Sequence, residues 1–154
     1  MPIVNRLKNS PLRSLQRRRS FSGRGKNIIP YIVVVLTSAL SCTYLELLFT
    51  GLGFYSFPQR PFPQLFPIDI RFTLIGVPVV TSLVLFALTI LEKQARIVFL
   101  FVTSFIMMVG EMISDNIGLL VHSPQWSHAF SFFGYMLFFM MIWTIFKWTA
   151  RKTS

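Results

Sequence analysis

The fold is decided by residues 28–54, IIPYIVVVLTSALSCTYLELLFTGLGF, and by three later stretches of the same apolar character at 72–91, 97–121 and 129–148. Each stretch reaches the roughly 20 residues that a helix needs to cross a hydrocarbon core of about 30 Å. Lipid offers no hydrogen-bond partner to open backbone groups, so helices are the expected form. The sequence therefore predicts an all-α membrane protein with four transmembrane helices.

The composition also favours a bilayer as the solvent of this chain. Of its 154 residues, 53% are hydrophobic and only 13% are charged, whereas a soluble domain has about 25% charged residues. Such a chain has too little polar surface to cover a water-facing globule. Its single cysteine, Cys42, excludes an intramolecular disulfide.

The net charge of +10 is concentrated in one segment, because residues 1–26 hold eight Lys/Arg and no acid. Beside a membrane helix, a basic tail is typical of an orientation signal or of contact with anionic lipid. We therefore expect no nucleic-acid partner. The predicted organisation is a disordered or lipid-surface tail over 1–26, followed by a four-helix transmembrane domain over 27–150.

The distribution of Lys/Arg predicts the orientation of the chain. Thirteen of the 15 Lys/Arg lie in the tail, in the turn at 92–96 or at the C-terminal end, and the other two are Arg60 and Arg71. The positive-inside rule places the larger group in the cytoplasm. Both chain ends are then cytoplasmic, and the loops at 55–71 and 122–128 face outward.

Two segments of the chain form a near-repeat. Glu46–Gly53 (ELLFTGLG) aligns with Glu111–Gly118 (EMISDNIG) at an offset of 65 residues. A true repeat would relate helices one and two to helices three and four in parallel. The alternative is chance similarity between two outward-running helix ends. In either case each Glu lies seven residues before its Gly, about 10 Å along a helix, so the two glutamates have similar depth in the outer half of the membrane.

Polar and small residues share one face on each of two helices. On helix one that face is Ala39, Cys42, Thr43, Glu46, Thr50 and Gly53, and on helix three it is Ser104, Met108, Glu111, Asp115, Gly118 and His122. If the two faces meet, Glu46, Glu111 and Asp115 gather in a site of low dielectric constant. Three such carboxyls cannot all stay charged without a cation.

Three hypotheses follow from these acids. In the first, the site binds a cation or an amine ligand from the outer side, and His122 and His128 add nitrogen ligands that suit a divalent metal. In the second, a protonated Glu acts as general acid on a lipid or isoprenoid substrate. In the third, the acids are structural and pair across helices or with Arg60 or Arg71. The six-residue spacing of the two histidines is not a usual metal motif and favours interface residues.

TYLELLFTGLGFYSFPQRPFPQLFPIDIRFTL at 43–74 and EMISDNIGLLVHSPQWSHAFSFFGY at 111–135 resemble a family of small multi-pass membrane proteins from spore-forming Gram-positive bacteria. The resemblance covers roughly residues 40–148. It implies the bacterial plasma membrane and carries over no catalytic residue and no cofactor. The acids at the helix ends also resemble those of membrane-embedded carotenoid cyclases. Four short helices enclose little volume, so we expect a homo-oligomer.

Overall fold

A computed structural model describes residues 28–153 of the chain, and the basic tail predicted over 1–26 lies outside them. The long helices are α1 (Ile29–Gly51), α2 (Val77–Ile90), α3 (Lys93–Asn116) and α4 (His128–Lys152). A π-helical turn, Phe72–Gly76, runs directly into α2. With that turn included, all four helices are long and apolar enough to cross a membrane. The all-α four-helix fold is confirmed.

The helix ends differ from the predicted bounds by a few residues. α1 ends at Gly51 instead of 54, and α3 ends at Asn116 instead of 121. In both cases a glycine in the left-handed region follows the helix, Gly53 at φ +74° and Gly118 at φ +73°. This conformation suits glycine best and reverses the chain. At the other end of the bundle, α3 begins at Lys93 instead of 97 and α4 continues past 148 to Lys152, because long basic side chains are tolerated at helix ends where they reach water.

The two glycine turns share the same backbone hydrogen bonds. The Gly53 N–H donates to Thr50 O (3.0 Å) and the Phe54 N–H to Phe49 O (2.9 Å). At the end of α3, the N–H groups of Gly118 and Leu119 donate to Asp115 O (3.0 Å) and Ser114 O (2.9 Å). These are the positions that the near-repeat aligns, although the repeat as a relation between the two halves stays a prediction.

After the two turns, the chain forms a pair of short strands that the sequence did not predict. β1 (Tyr55–Ser56) and β2 (Val121–His122) are antiparallel, with Tyr55 opposite His122 and Ser56 opposite Val121. The pairing is continued by the Ser123 N–H, which donates to Phe54 O at 2.8 Å. It fastens the segments that follow α1 and α3 to each other.

The packing order of the helices contradicts one sequence expectation. α1 packs against α2 and α4, and α3 packs against α4, whereas α1 and α3 have at most a marginal contact with each other. The polar faces of helices one and three therefore do not meet. The central contact is apolar, with Val34 of α1, Leu85 and Leu88 of α2, and Phe139 and Ile142 of α4 in one buried cluster.

Arg60 and Arg71 are both used inside their own loop. Arg60 donates to the carbonyl oxygens of Phe57 (2.7 Å), Phe66 (2.7 Å) and Pro63 (3.3 Å). Arg71 forms an ion pair with Asp69 at 2.8 Å, and its hydrogen bonds lower the pKa of that carboxyl. Within residues 28–153, neither arginine is ion-paired with Glu46, Glu111 or Asp115, so the expected pairing of these acids with Arg60 or Arg71 is wrong, whereas bonding across helices is not contradicted.

Candidate metal centre

Three metal-ligating side chains converge at the end of the bundle where α3 stops and α4 starts. The ligand atoms of Glu111, His122 and His128 all lie within 4.8 Å of one another. Glu111 Oε1 is 3.1 Å from His122 Nε2 and 3.8 Å from His128 Nδ1. Ligand atoms in a tetrahedral zinc site, with bonds of 2.0–2.1 Å, are about 3.3 Å apart. The space between the three atoms therefore has the dimensions of a site for one metal ion.

The backbone explains why residues far apart in sequence meet here. Glu111 lies in the last turns of α3, and the reversal at Gly118 sends β2 back across the helix end, which carries His122 to Glu111. Ser127 then caps α4, because its Oγ accepts a hydrogen bond from the Ala129 N–H at 3.4 Å. This start of α4 places His128 in the first position of the helix, beside the same carboxylate.

The two histidine nitrogens that face Glu111 have no hydrogen-bond partner. His122 Nε2 and His128 Nδ1 are both buried, and neither forms a hydrogen bond although Glu111 Oε1 is near. The His122 side chain is only 5% exposed. Buried polar atoms without partners are rare, and each requires an explanation such as a bound ion. A metal ion in the shared space would accept the lone pairs of both nitrogens.

Asp115 orients His122 from the other side of the ring. Its Oδ2 lies 3.1 Å from His122 Nδ1, and its Oδ1 accepts a hydrogen bond from the His122 backbone N–H at 3.4 Å. In a neutral imidazole, a carboxylate beside Nδ1 favours the proton on that nitrogen, and the Nε2 lone pair then points toward Glu111. This carboxylate–histidine arrangement is the usual outer partner of a metal-bound imidazole.

Two hydroxyl groups of α4 hold the Glu111 carboxylate in place. Ser131 donates to Oε1, and Tyr135 donates to Oε2 at 2.8 Å. Neither hydroxyl group was predicted from the sequence to contact Glu111. Their four-residue spacing puts them on one face of α4, but nothing in the sequence shows that this face meets Glu111.

An aromatic wall covers the cluster. Trp126 stacks on the His122 ring, with centroids 5.5 Å apart, and its Nε1–H donates to Ser131 Oγ at 3.0 Å. Tyr55 makes an edge contact with the His122 ring at 5.7 Å. Burial, together with the nearby Glu46 and Glu111, raises the pKa of the Tyr55 hydroxyl. His128 is 34% exposed, so the cluster is accessible from this side.

Glu46 lies apart from this cluster, on α1. It is 5% exposed, and its hydrogen-bond partner within residues 28–153 is the Cys42 thiol, whose Sγ is 3.8 Å from Oε1. Its Oε2 is buried and without a partner. Of the acids that the sequence singled out, the structure brings Glu111 and Asp115 into contact with the histidines, whereas Glu46 is near the cluster only through Tyr55.

The donor set has a clear chemical preference. One carboxylate oxygen and two imidazole nitrogens suit zinc and related divalent transition metals. Three protein ligands leave one tetrahedral position for water or for another ligand. No protein family, no functionally described protein and no solved structure matches this chain.

Proposed function

We propose that this is a multi-pass membrane protein that binds one divalent transition metal ion, with zinc as the best fit, through Glu111, His122 and His128. The observation that carries the proposal is the buried His122 Nε2, which forms no hydrogen bond although it lies 3.1 Å from Glu111 Oε1. The Asp115 carboxylate on the opposite ring nitrogen supports it, because it selects the tautomer that a metal requires.

The charge distribution supports a location for the centre at the outer face of a plasma membrane. The metal ligands lie at the end of the bundle that carries Arg60 and Arg71, whereas Lys93, Arg96 and the basic residues of the C-terminal end lie at the other. The positive-inside rule then assigns the metal centre to the exterior.

Distances favour a metal over an amine ligand. An ammonium group that donates hydrogen bonds of about 2.9 Å at tetrahedral angles holds its acceptors about 4.7 Å apart. The separations of 3.1 and 3.8 Å from Glu111 Oε1 to the two histidine nitrogens are nearer to the spacing around zinc.

The enzyme hypothesis stays a hypothesis. Both carboxyl oxygens of Glu111 accept hydrogen bonds from hydroxyl groups of α4, so they are already engaged within the protein. Glu46 remains as a candidate acid, but no substrate-sized site is tied to it.

Zinc titration of the metal-stripped, detergent-purified protein tests the proposed function. We expect one ion per chain by calorimetry, and stabilisation of about 2.7 kcal/mol when free zinc is 100 times Kd. Glu111→Gln and His122→Ala should each lower zinc affinity. The decrease should exceed the roughly 10–100-fold that is typical when a residue hydrogen-bonded to a metal ligand is removed. Glu92→Gln is the matched control, because that exposed carboxyl lies at the opposite end of the bundle. Zinc binding unaffected by the two ligand variants, or methylammonium binding instead of zinc, would contradict the proposal.

A further inference from the structure

The end of the bundle opposite the metal centre holds two cations against one indole ring. Arg96 of α3 lies with its Cζ 4.9 Å from the centroid of the Trp143 ring. Lys147 of α4 lies with its Nζ 5.7 Å from the same centroid. Each contact alone is a normal cation–π interaction, but two like charges near one ring also repel each other. An anion between them would remove that repulsion.

No acid within residues 28–153 neutralises this pair. The ion pairs in that part of the chain involve Asp69, Glu111 and Asp115, all at the other end. Glu92 is the acid at this end, and it forms no ion pair. Arg96 Nε is moreover buried without any hydrogen-bond acceptor. A guanidinium with an unused buried donor is suited to a bidentate oxyanion such as phosphate.

The surroundings of Arg96 point to a phosphate that belongs to a lipid. The next residues of α3, Ile97 and Val98, have exposed side chains (66% and 63%), as does Phe101 at 56%. Along a membrane-crossing helix, such side chains face acyl chains. A headgroup at Arg96 would therefore be continuous with an apolar surface that fits the tails of the same molecule, whereas a free phosphate would leave that surface unused.

We propose that Arg96 and Lys147 bind the phosphate of an anionic phospholipid, whose acyl chains lie along the exposed apolar side chains of α3. The Trp143 ring positions both cations, and the first backbone N–H groups of α3, which begins at Lys93, add to the positive field. This site is independent of the metal centre.

Native mass spectrometry of the protein released from mixed phosphatidylglycerol–phosphatidylcholine nanodiscs tests the proposal. We expect the protein to retain phosphatidylglycerol, and the double variant Arg96→Gln/Lys147→Gln to lose at least about tenfold of that preference, since a hydrogen bond to a charged group has this magnitude. Lys93→Gln/Arg151→Gln is the matched control, because it removes the same charge from the same end and should retain the preference.

Three outcomes would overturn the lipid site. Equal losses of the phosphatidylglycerol preference in both double variants would show that a diffuse positive field, and not a specific site, attracts the lipid. Displacement of phosphatidylglycerol by millimolar inorganic phosphate would assign the site to a free anion. Should the double variant fail to fold, the single variant Arg96→Gln provides the test, because it removes the guanidinium that the proposed site requires, and an unchanged lipid preference in that variant would overturn the site.

Discussion

At the scale of single residues, a different carboxylate faces each ring nitrogen of His122. Nδ1 faces Asp115, and Nε2 faces Glu111 across the proposed metal position. The stacked Trp126 ring fixes the plane of the imidazole. The sequence contains both acids four residues apart on α3, so their shared face was predicted. The six-residue spacing from His122 to His128 matches no metal motif, so the sequence alone does not predict that the two side chains converge. Their convergence is explained only by the chain reversal at Gly118.

Asp115→Asn tests the positioning role of that carboxylate. The amide keeps the shape of the side chain and loses the charge that holds the proton on His122 Nδ1. We expect zinc affinity to fall about 10–100-fold, while the thermal unfolding of the metal-free protein stays close to that of the original protein. Calorimetric titration measures the first quantity, and Asp69→Asn, in the outer loop, is the control. An unchanged zinc affinity in Asp115→Asn would show that Asp115 does not position His122 for metal binding.

At the scale of elements, the end of α3 decides the geometry of the site. Gly118 has φ +73°, and a Cβ added there would meet Gln59 Nε2 only at 3.7 Å, an ordinary contact. Any cost of a side chain at this position therefore comes from the backbone conformation. Gly110 lies inside α3 with nothing within 4 Å of an added Cβ, so the same substitution there meets neither strain nor a clash.

Gly118→Ala and Gly110→Ala should change stability in opposite directions. The left-handed conformation costs an alanine about 1–2 kcal/mol, so Gly118→Ala lowers the free energy of unfolding. Alanine in a helix interior is favoured over glycine by roughly 0.5–1 kcal/mol, so Gly110→Ala raises it. Denaturant unfolding of the two variants in the same detergent measures both values. A stability gain in Gly118→Ala would refute the turn geometry.

At the scale of the whole molecule, α4 is the helix that joins the others. It packs against α1 on one side and α3 on another. The apolar side chains of α3 are largely exposed, with Ser104 as its fully buried residue. Inside a bilayer that exposed surface faces lipid, so the bundle needs no larger core than the one it has.

Cysteine labelling tests the orientation of the bundle. In a Cys42→Ser background, Gln125→Cys lies in the loop between β2 and α4, and Lys93→Cys lies at the start of α3. Both positions are exposed. We expect a membrane-impermeant maleimide to label Gln125→Cys in intact cells and to label Lys93→Cys only after the membrane is opened. The reverse labelling pattern would place the metal centre in the cytoplasm.

The sequence by itself determined the four helices, because the length of an apolar run and the cost of an open backbone in lipid act locally along the chain. It also indicated the acids of α3 and the depth of both glutamates, since these follow from helical rise and spacing. Only the tertiary structure decided which helices touch. Every membrane helix is apolar on most sides, so periodicity does not identify its neighbours.

Which residues form the site depends on this packing of the helices, which the sequence does not determine. Because α4 contacts both α1 and α3, while these two barely touch, Ser131 and Tyr135 reach Glu111 and Glu46 does not. The reversal at Gly118 then brings His122 to the same carboxylate. The sequence shows which residues could bind a metal. Their convergence depends on a backbone turn and on the contact between two helices, and residue spacing along the chain predicts neither.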